Sequence, residues 1–130
     1  MTNLEDILAR LWTSVEGCRV AALAGMDGLL IERHPAPAAA GTLRQSPEPD
    51  DLAHVVADLT SVLAIAAGEL SRTVGTRVDE VIALGEGGGY LARRIDDDLF
   101  CLVLVGAGAE LGNVRKQVEQ TSRELAVAVA

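Results

Sequence analysis

Lysine is almost missing from this chain. Lys116 stands alone among 11 basic residues, the rest being scattered arginines, against 19 aspartates and glutamates and a net charge of -8. With no basic cluster, nucleic acid and anionic membrane surfaces are excluded as expected partners. Aromatic residues are equally scarce (Trp12, Tyr90 and Phe100), so aliphatic side chains and alanine must build the core. Cysteine is limited to Cys18 and Cys101, both on apolar stretches. They read as buried free thiols of a reducing cytoplasm, with a single disulfide as the other possibility. The N-terminal stretch lacks the pattern of a signal peptide, and a cytoplasmic location is expected. The longest runs free of charge, such as Leu99 to Ala109, fall short of the ~18 residues a membrane span needs. At 130 residues the chain suffices for one domain that buries roughly two-thirds of its unfolded surface, so neither disulfides nor metals are needed for stability.

Proline is absent from all of the chain except 34–49 (HPAPAAAGTLRQSPEP), which holds all four. Missing donors and restricted preceding residues rule out a regular element there. The stretch reads as a long exposed loop, either a tolerated insertion or a functional lid. On either side of it the elements are well punctuated. Thr2 and Glu5 have the form of a capping box, and Leu4, Ile7, Leu8, Leu11, Trp12 and Val15 recur at helical spacing to about Ser14, with Gly17 as a stop. Cys18–Ala24 and Leu29–Arg33 form a hairpin about the turn Gly25-Met26-Asp27-Gly28. Asp51–Val74 is a long helix, capped by Asp50 or by Ser46 followed by Pro47. Val81–Leu84, Tyr90–Ile95 and Leu99–Val105 are three strands in meander order, joined at Gly87-Gly88-Gly89 and Asp96-Asp97-Asp98. The last of these is uniformly apolar and therefore central. A final helix from about Ala109 to Val127 turns Leu111, Val114, Val118, Thr121 and Leu125 inward and pairs Glu119 with Arg115 and Arg123. The fold class is α+β, a five-stranded antiparallel sheet between helices in the order α-β-β-α-β-β-β-α.

Convergent chemistry is missing too. The run Gly85-Glu86-Gly87-Gly88-Gly89 has the glycine content of a phosphate loop. It lacks the Lys-Ser/Thr ending, and it leads into a strand rather than a helix N-terminus. Asp96, Asp97 and Asp98 lack the spacing of a calcium loop, and successive side chains diverge. His34 and His54 have no metal-ligand neighbours at suitable spacing and read as surface histidines. No serine has nucleophile-elbow context. No enzymatic activity, metal or cofactor is expected.

The long helix carries the functional signal. At ~100° per residue, Leu52, Val55, Val56, Leu59, Leu63, Ala66, Leu70 and Val74 form an inward stripe. A lateral strip of small residues, Ala53, Ala57, Thr60, Ala64, Ala67 and Ser71, permits close approach of a second helix and is the candidate for self-association. The opposite flank is marked by Asp58 and Glu69. The outward face holds His54, Ser61, Ile65, Gly68 and Arg72. No charge falls between Leu59 and Gly68. A helix apolar nearly all round is covered on more than one side, and a second copy of the chain is the expected cover.

Three stretches together resemble the roadblock/dynein light chain domain, whose element order is the same. Val15-Glu16-Gly17-Cys18 through Ala21-Ala22-Leu23, closing with Met26-Asp27-Gly28-Leu29-Leu30-Ile31, is similar to that family's opening G…A-hydrophobic…DG-L-hydrophobic hairpin. The long small-residue helix is the second stretch. Leu111-Gly112-Asn113-Val114-Arg115 is like its LG-x-hydrophobic-R signature. The proline-rich insertion departs from the pattern, as does Glu110, where the family more often has Asn. The resemblance implies a profilin-like fold and a non-catalytic homodimer. The long helices would lie side by side, and Val81, Ile82, Ala83 and Leu84 would pair with their copies in a ten-stranded sheet. It also implies a small Ras-like GTPase as partner, held by His54, Ser61, Ile65, Gly68 and Arg72, with Arg72 acting as a contact rather than a finger. A structural adaptor and a small-molecule sensor are the alternatives, and a pocket rimmed by the proline loop would favour the sensor.

Overall fold

The first helix, α1, spans Leu4–Ser14 in the computed structural model, which describes residues 3–37 and 49–130 and, at Pro49, Asp50 and Asp51, the backbone alone. Its cap is Asn3, whose side-chain oxygen accepts from the Asp6 N–H at 2.8 Å. An Asn cap thus replaces the expected Thr2–Glu5 box, Thr2 lying outside the described residues. The other elements are β1 (Cys18–Gly25), β2 (Leu30–His34), α2 (Pro49–Thr73), β3 (Glu80–Gly85), β4 (Gly88–Arg94), β5 (Leu99–Gly106) and α3 (Leu111–Val129). They follow the expected α-β-β-α-β-β-β-α order.

All pairings in the five-stranded sheet are antiparallel, and its order is β2-β1-β5-β4-β3. The apolar strand β5 is central, as its composition requires, because neither face meets water. Alternation along the strands divides the core in two. Leu23, Leu91, Cys101 and Val103 face α1 and α3, where they meet Leu8, Leu11, Val118 and Leu125. Ala22, Ala24, Ala92, Phe100 and Leu102 face the other way and are covered by Leu52, Val56, Leu59 and Leu63 of α2. The two edges of the sheet are β2 and β3.

Several boundaries differ from those expected, each for a local reason. His34 belongs to β2, and Pro49 and Asp50 belong to α2, so the proline-rich connection is shorter than 34–49. Pro49 suits a first helical position, where its missing N–H costs nothing. Asp50 lies inside the helix, and the Ser46-Pro47 alternative lies outside the described residues. Val74 is 68% exposed rather than inward, since α2 stops at Thr73. There the N–H groups of Val74 and Gly75 both close on the Leu70 carbonyl at 2.9 Å. The β3–β4 turn sits at Glu86-Gly87, with Gly88 and Gly89 already paired in β4 opposite Gly85 and Leu84. The last helix begins at Leu111 because Glu110 is its N-cap, accepting from the Gly112 and Asn113 N–H groups at 2.8 Å each. This leaves Leu111 outside the inward face, at 38% exposed, while Ser122 joins Thr121 in the interior.

Arg115 reaches across to Glu80 at 2.8 Å instead of pairing with Glu119, which takes Arg123 at 2.7 Å. Arg93 and Arg94, adjacent on β4, are both held by carboxylates: Arg93 binds Glu80 and Arg94 binds Asp97. His34 is half-buried rather than on the surface, its ring edge-on to Trp12 at 5.2 Å.

Candidate functional site

By length and composition, Leu52–Thr73 would suffice to cross a membrane, and only 22% of its most apolar window is buried within the chain. What is buried is the stripe on the sheet. Leu52 and Val56 are fully covered, Leu59 and Leu63 almost so, and Val55, Ala66 and Leu70 are half-buried beside them. Most of the rest of the helix faces outward with few charges to solvate it.

The small-residue strip is heterogeneous. Ala53, Ala57, Ala64 and Ser71 are exposed, whereas Thr60 and Ala67 are half-buried, Ala67 against the core. The Thr60 hydroxyl donates back to the Ala57 carbonyl at 2.7 Å. A methyl group at Gly28 would stand 3.7 Å from Ala57 Cα and 3.8 Å from Thr60 Oγ1, so the β1–β2 turn already rests on the middle of this strip. On the outward face, His54, Ser61, Ile65 and Arg72 are exposed, Ile65 at 67%. Gly68 is half-buried, and a methyl group on it would stand 3.4 Å from the Arg72 guanidinium, which binds Glu69 at 2.8 Å.

Strand β3 forms the outer edge on its side of the sheet. Val81 and Ile82 are half-buried, one against each half of the core, while Ala83 and Leu84 are exposed, Leu84 at 54%. An edge strand with an exposed apolar end is a template for another strand. Its N-terminal end is held down by Glu80, which accepts from Arg93 on one carboxylate oxygen and from Arg115 on the other. The arginine of the LG-x-hydrophobic-R stretch therefore fixes the edge strand, a role that its own helix gives no sign of.

Between the remaining flank of α2 and the β3–β4 hairpin lies a cavity of 490 Å³. Val55, Asp58, Leu59 and Val62 form one wall, with Gly87, Gly88, Gly89 and Tyr90 opposite and Arg19, Leu104 and Val105 closing it. Val62 belongs to none of the three faces read from the sequence. Its spacing from Val55 and Asp58 is the available signal, since residues three, four and seven apart share a helix face. Neither His34, Pro35, Ala36 nor Pro37 lines this cavity.

The thiols are poor nucleophiles. Burial pushes the pKa of both Cys18 and Cys101 up to about 12, and both are free. Among the described residues, no group of three or more His, Cys, Asp or Glu side chains could hold a metal ion.

No family model and no curated protein sequence matches the chain. Solved structures do. The Roadblock/LC7 domain from Streptomyces avermitilis superposes with a TM-score of 0.79 at 17% identity, over 95% of each chain. Two structures of MglB, one the gliding protein of Thermus thermophilus and one in a tetrameric arrangement, give 0.77 and 0.78. Both are 21% identical over 95% of this chain and 85% of theirs. Profilin II of Acanthamoeba castellanii gives 0.65 at 13% identity, over 98% of this chain and all of its own. The sheet, its order of elements and these superpositions agree, and the fold of this chain is the profilin-like fold of the Roadblock/LC7 domain.

Proposed function

We propose that the chain is a non-catalytic, cytoplasmic regulator that pairs with a second copy of itself and binds a small Ras-like GTPase, whose GTP hydrolysis it stimulates. The observation that carries this is the under-covered apolar side of α2, with Ile65 67% and Val62 38% exposed, in the same chain as the open β3 edge with Leu84. Two surfaces of that kind favour association. The likeness to MglB, named as a gliding protein and seen in a tetrameric arrangement, supports the same direction.

In this reading the second copy covers the exposed small residues, Ala53 and Ala64 foremost, and extends the sheet at Val81–Leu84. The GTPase meets His54, Ser61, Ile65, Gly68 and Arg72. Arg72 contributes contact, and the catalytic groups are the GTPase's own, reordered on binding. Affinity capture from native lysate in GTP-loaded and GDP-loaded conditions, followed by mass spectrometry and a hydrolysis assay, tests it. A small GTPase recovered and accelerated is the expected result. Recovery of none in either state would sink the regulator reading and leave a structural adaptor. Alanine at Arg72 weakens partner binding by a modest factor; stimulation lost with binding intact would instead mark a finger.

A further inference from the structure

Strand β2 is the sheet edge opposite β3, four strand spacings or about 19 Å away from it. It is blunted against a further strand. Leu23 pairs with Glu32 and Ala24 with Leu30, which leaves Ile31 as the extra residue of a bulge. The Arg33 N–H donates to the Glu32 carboxylate at 3.2 Å, so a side chain stands where the acceptor of another strand would. Bulges and charges of this kind oppose edge-to-edge pairing. The same edge nevertheless leaves Ile31 49% and Leu29 65% exposed. Aliphatic groups kept bare on an edge closed to main-chain pairing are placed for contact through side chains.

Their surroundings give that contact a charge. A hollow of 350 Å³ opens beside them at the end of the sheet, lined by apolar Met26, Leu29, Ile31 and Leu99 and by the carboxylates of Asp27 and Asp98. Among the described residues no cation lines it, nor does any part of α2 or β3. The two turns that carry the carboxylates are tied together, since the Met26 N–H donates to the Asp98 carbonyl at 2.7 Å. The neighbouring aspartates are engaged within the fold. Asp27 accepts from the Leu29 N–H at 3.1 Å, and Asp96 accepts from the Asp98 and Leu99 N–H groups at 2.8 and 2.9 Å. Asp97 holds Arg94 at 3.0 Å. The Asp98 carboxylate alone of these has no ion pair or hydrogen bond among the described residues.

We propose that this hollow docks a partner protein through an arginine or lysine set between aliphatic residues. The basic side chain lays its stem on Ile31 and Leu99 and brings its head to Asp98, and the aliphatic neighbours cover Leu29. Long basic side chains suit such a place, because they bury a hydrocarbon stem and keep a charged tip at the surface. A second copy meeting itself here fits less well, since it brings the same two aspartates and a net charge of -8. The proposal is independent of the GTPase reading, whose contact residues all lie on α2.

The test titrates the full chain with acetylated, amidated peptides of sequence LRVRL, LQVQL and LEVEL, followed by 15N amide shifts and calorimetry. LRVRL shifts the Leu29, Ile31, Asp98 and Leu99 amides and binds at least ~10-fold more tightly than LEVEL, with LQVQL between them and the advantage shrinking in salt. Asp98→Asn weakens LRVRL about three- to fivefold, on the scale of one exposed ion pair. Ile31→Ser weakens it about tenfold, the loss of one aliphatic contact, while Leu84→Lys on the far edge leaves it unchanged. Should Ile31→Ser misfold, Leu29→Ser removes the more exposed contact. The proposal is overturned if LRVRL leaves those amides unmoved, if LEVEL binds as tightly, or if Asp98→Asn binds LRVRL as the natural chain does. It is overturned equally if those amides shift with protein concentration alone, for then a second copy is the occupant.

Discussion

At Glu80 one carboxylate receives Arg93 from β4 at 3.3 Å and Arg115 from α3 at 2.8 Å, with its own side chain 12% exposed. Three elements meet on a single residue, and removing it leaves two arginines without an anion. Glu80→Gln therefore destabilises the fold by about 1–2 kcal/mol, less than a fully buried pair would, because the Arg115 side is solvent-exposed. Urea unfolding measures the loss, and a cycle with Arg115→Gln separates the pair from the rest. None of this was legible in the sequence, where Arg115 and Glu119 stand at ideal helical spacing and Glu80 is remote. Local spacing is a rule about neighbours, and here a distant, better-shielded carboxylate wins. Cys101 gives a second expectation. Unfolded thiols ionise near their ordinary 9.0, whereas burial holds the folded ones up to about 12. The folded state thus keeps protons that the unfolded state loses. The thiol contribution to stability is constant below pH 9 and falls from there toward pH 12. The difference in denaturation midpoint between the natural chain and Cys101→Ala, followed across that window, should therefore shrink as the pH rises.

Among the elements, α2 was the most legible on its buried side and the least on its flanks. Leu52, Val56, Leu59 and Leu63 lie where a ~3.6-residue period puts them, and Leu63→Ala should cost about 2–5 kcal/mol in chemical denaturation. Periodicity assigns a residue to a side of the helix but not to what stands beside that side. The Ala57–Thr60 flank faces the β1–β2 turn at Gly28, and the Val55–Val62 flank faces the β3–β4 turn. That information lives in the crossing of helix over sheet. For the same reason the glycine hairpin could be recognised but not centred. Gly89→Ala drives a methyl group onto the Ala83 carbonyl and should melt far below the natural chain, while Gly87→Ala stays close to it. In the proposed dimer, Ala64→Glu dissociates the copies and Ser61→Glu does not, as read by light scattering. A dimeric Ala64→Glu chain would place the contact on another flank.

For the molecule as a whole, the sheet leaves β3 open on one side and α2 under-covered on one surface. If a second copy closes both, stability must rise with protein concentration, and Leu84→Lys must remove that dependence without harming the monomer fold. Melting curves at widely separated protein concentrations, taken on both chains, decide the matter. The architecture itself was readable because composition marks its layers: β5 is apolar on both faces, β4 is not, and the helices are striped. The order of strands carries a further consequence. The central strand β5 is made after β1, β2, α2, β3 and β4, and both of its neighbours in the sheet must wait for it. Until Gly106 emerges, α2 has no Phe100 or Leu102 to lie on, and a stretch apolar enough to enter a bilayer stands bare at the surface of a growing chain. The vulnerable moment of this protein is therefore during its synthesis. Chaperone dependence should appear in chains arrested before residue 99 and fade in those released beyond α3.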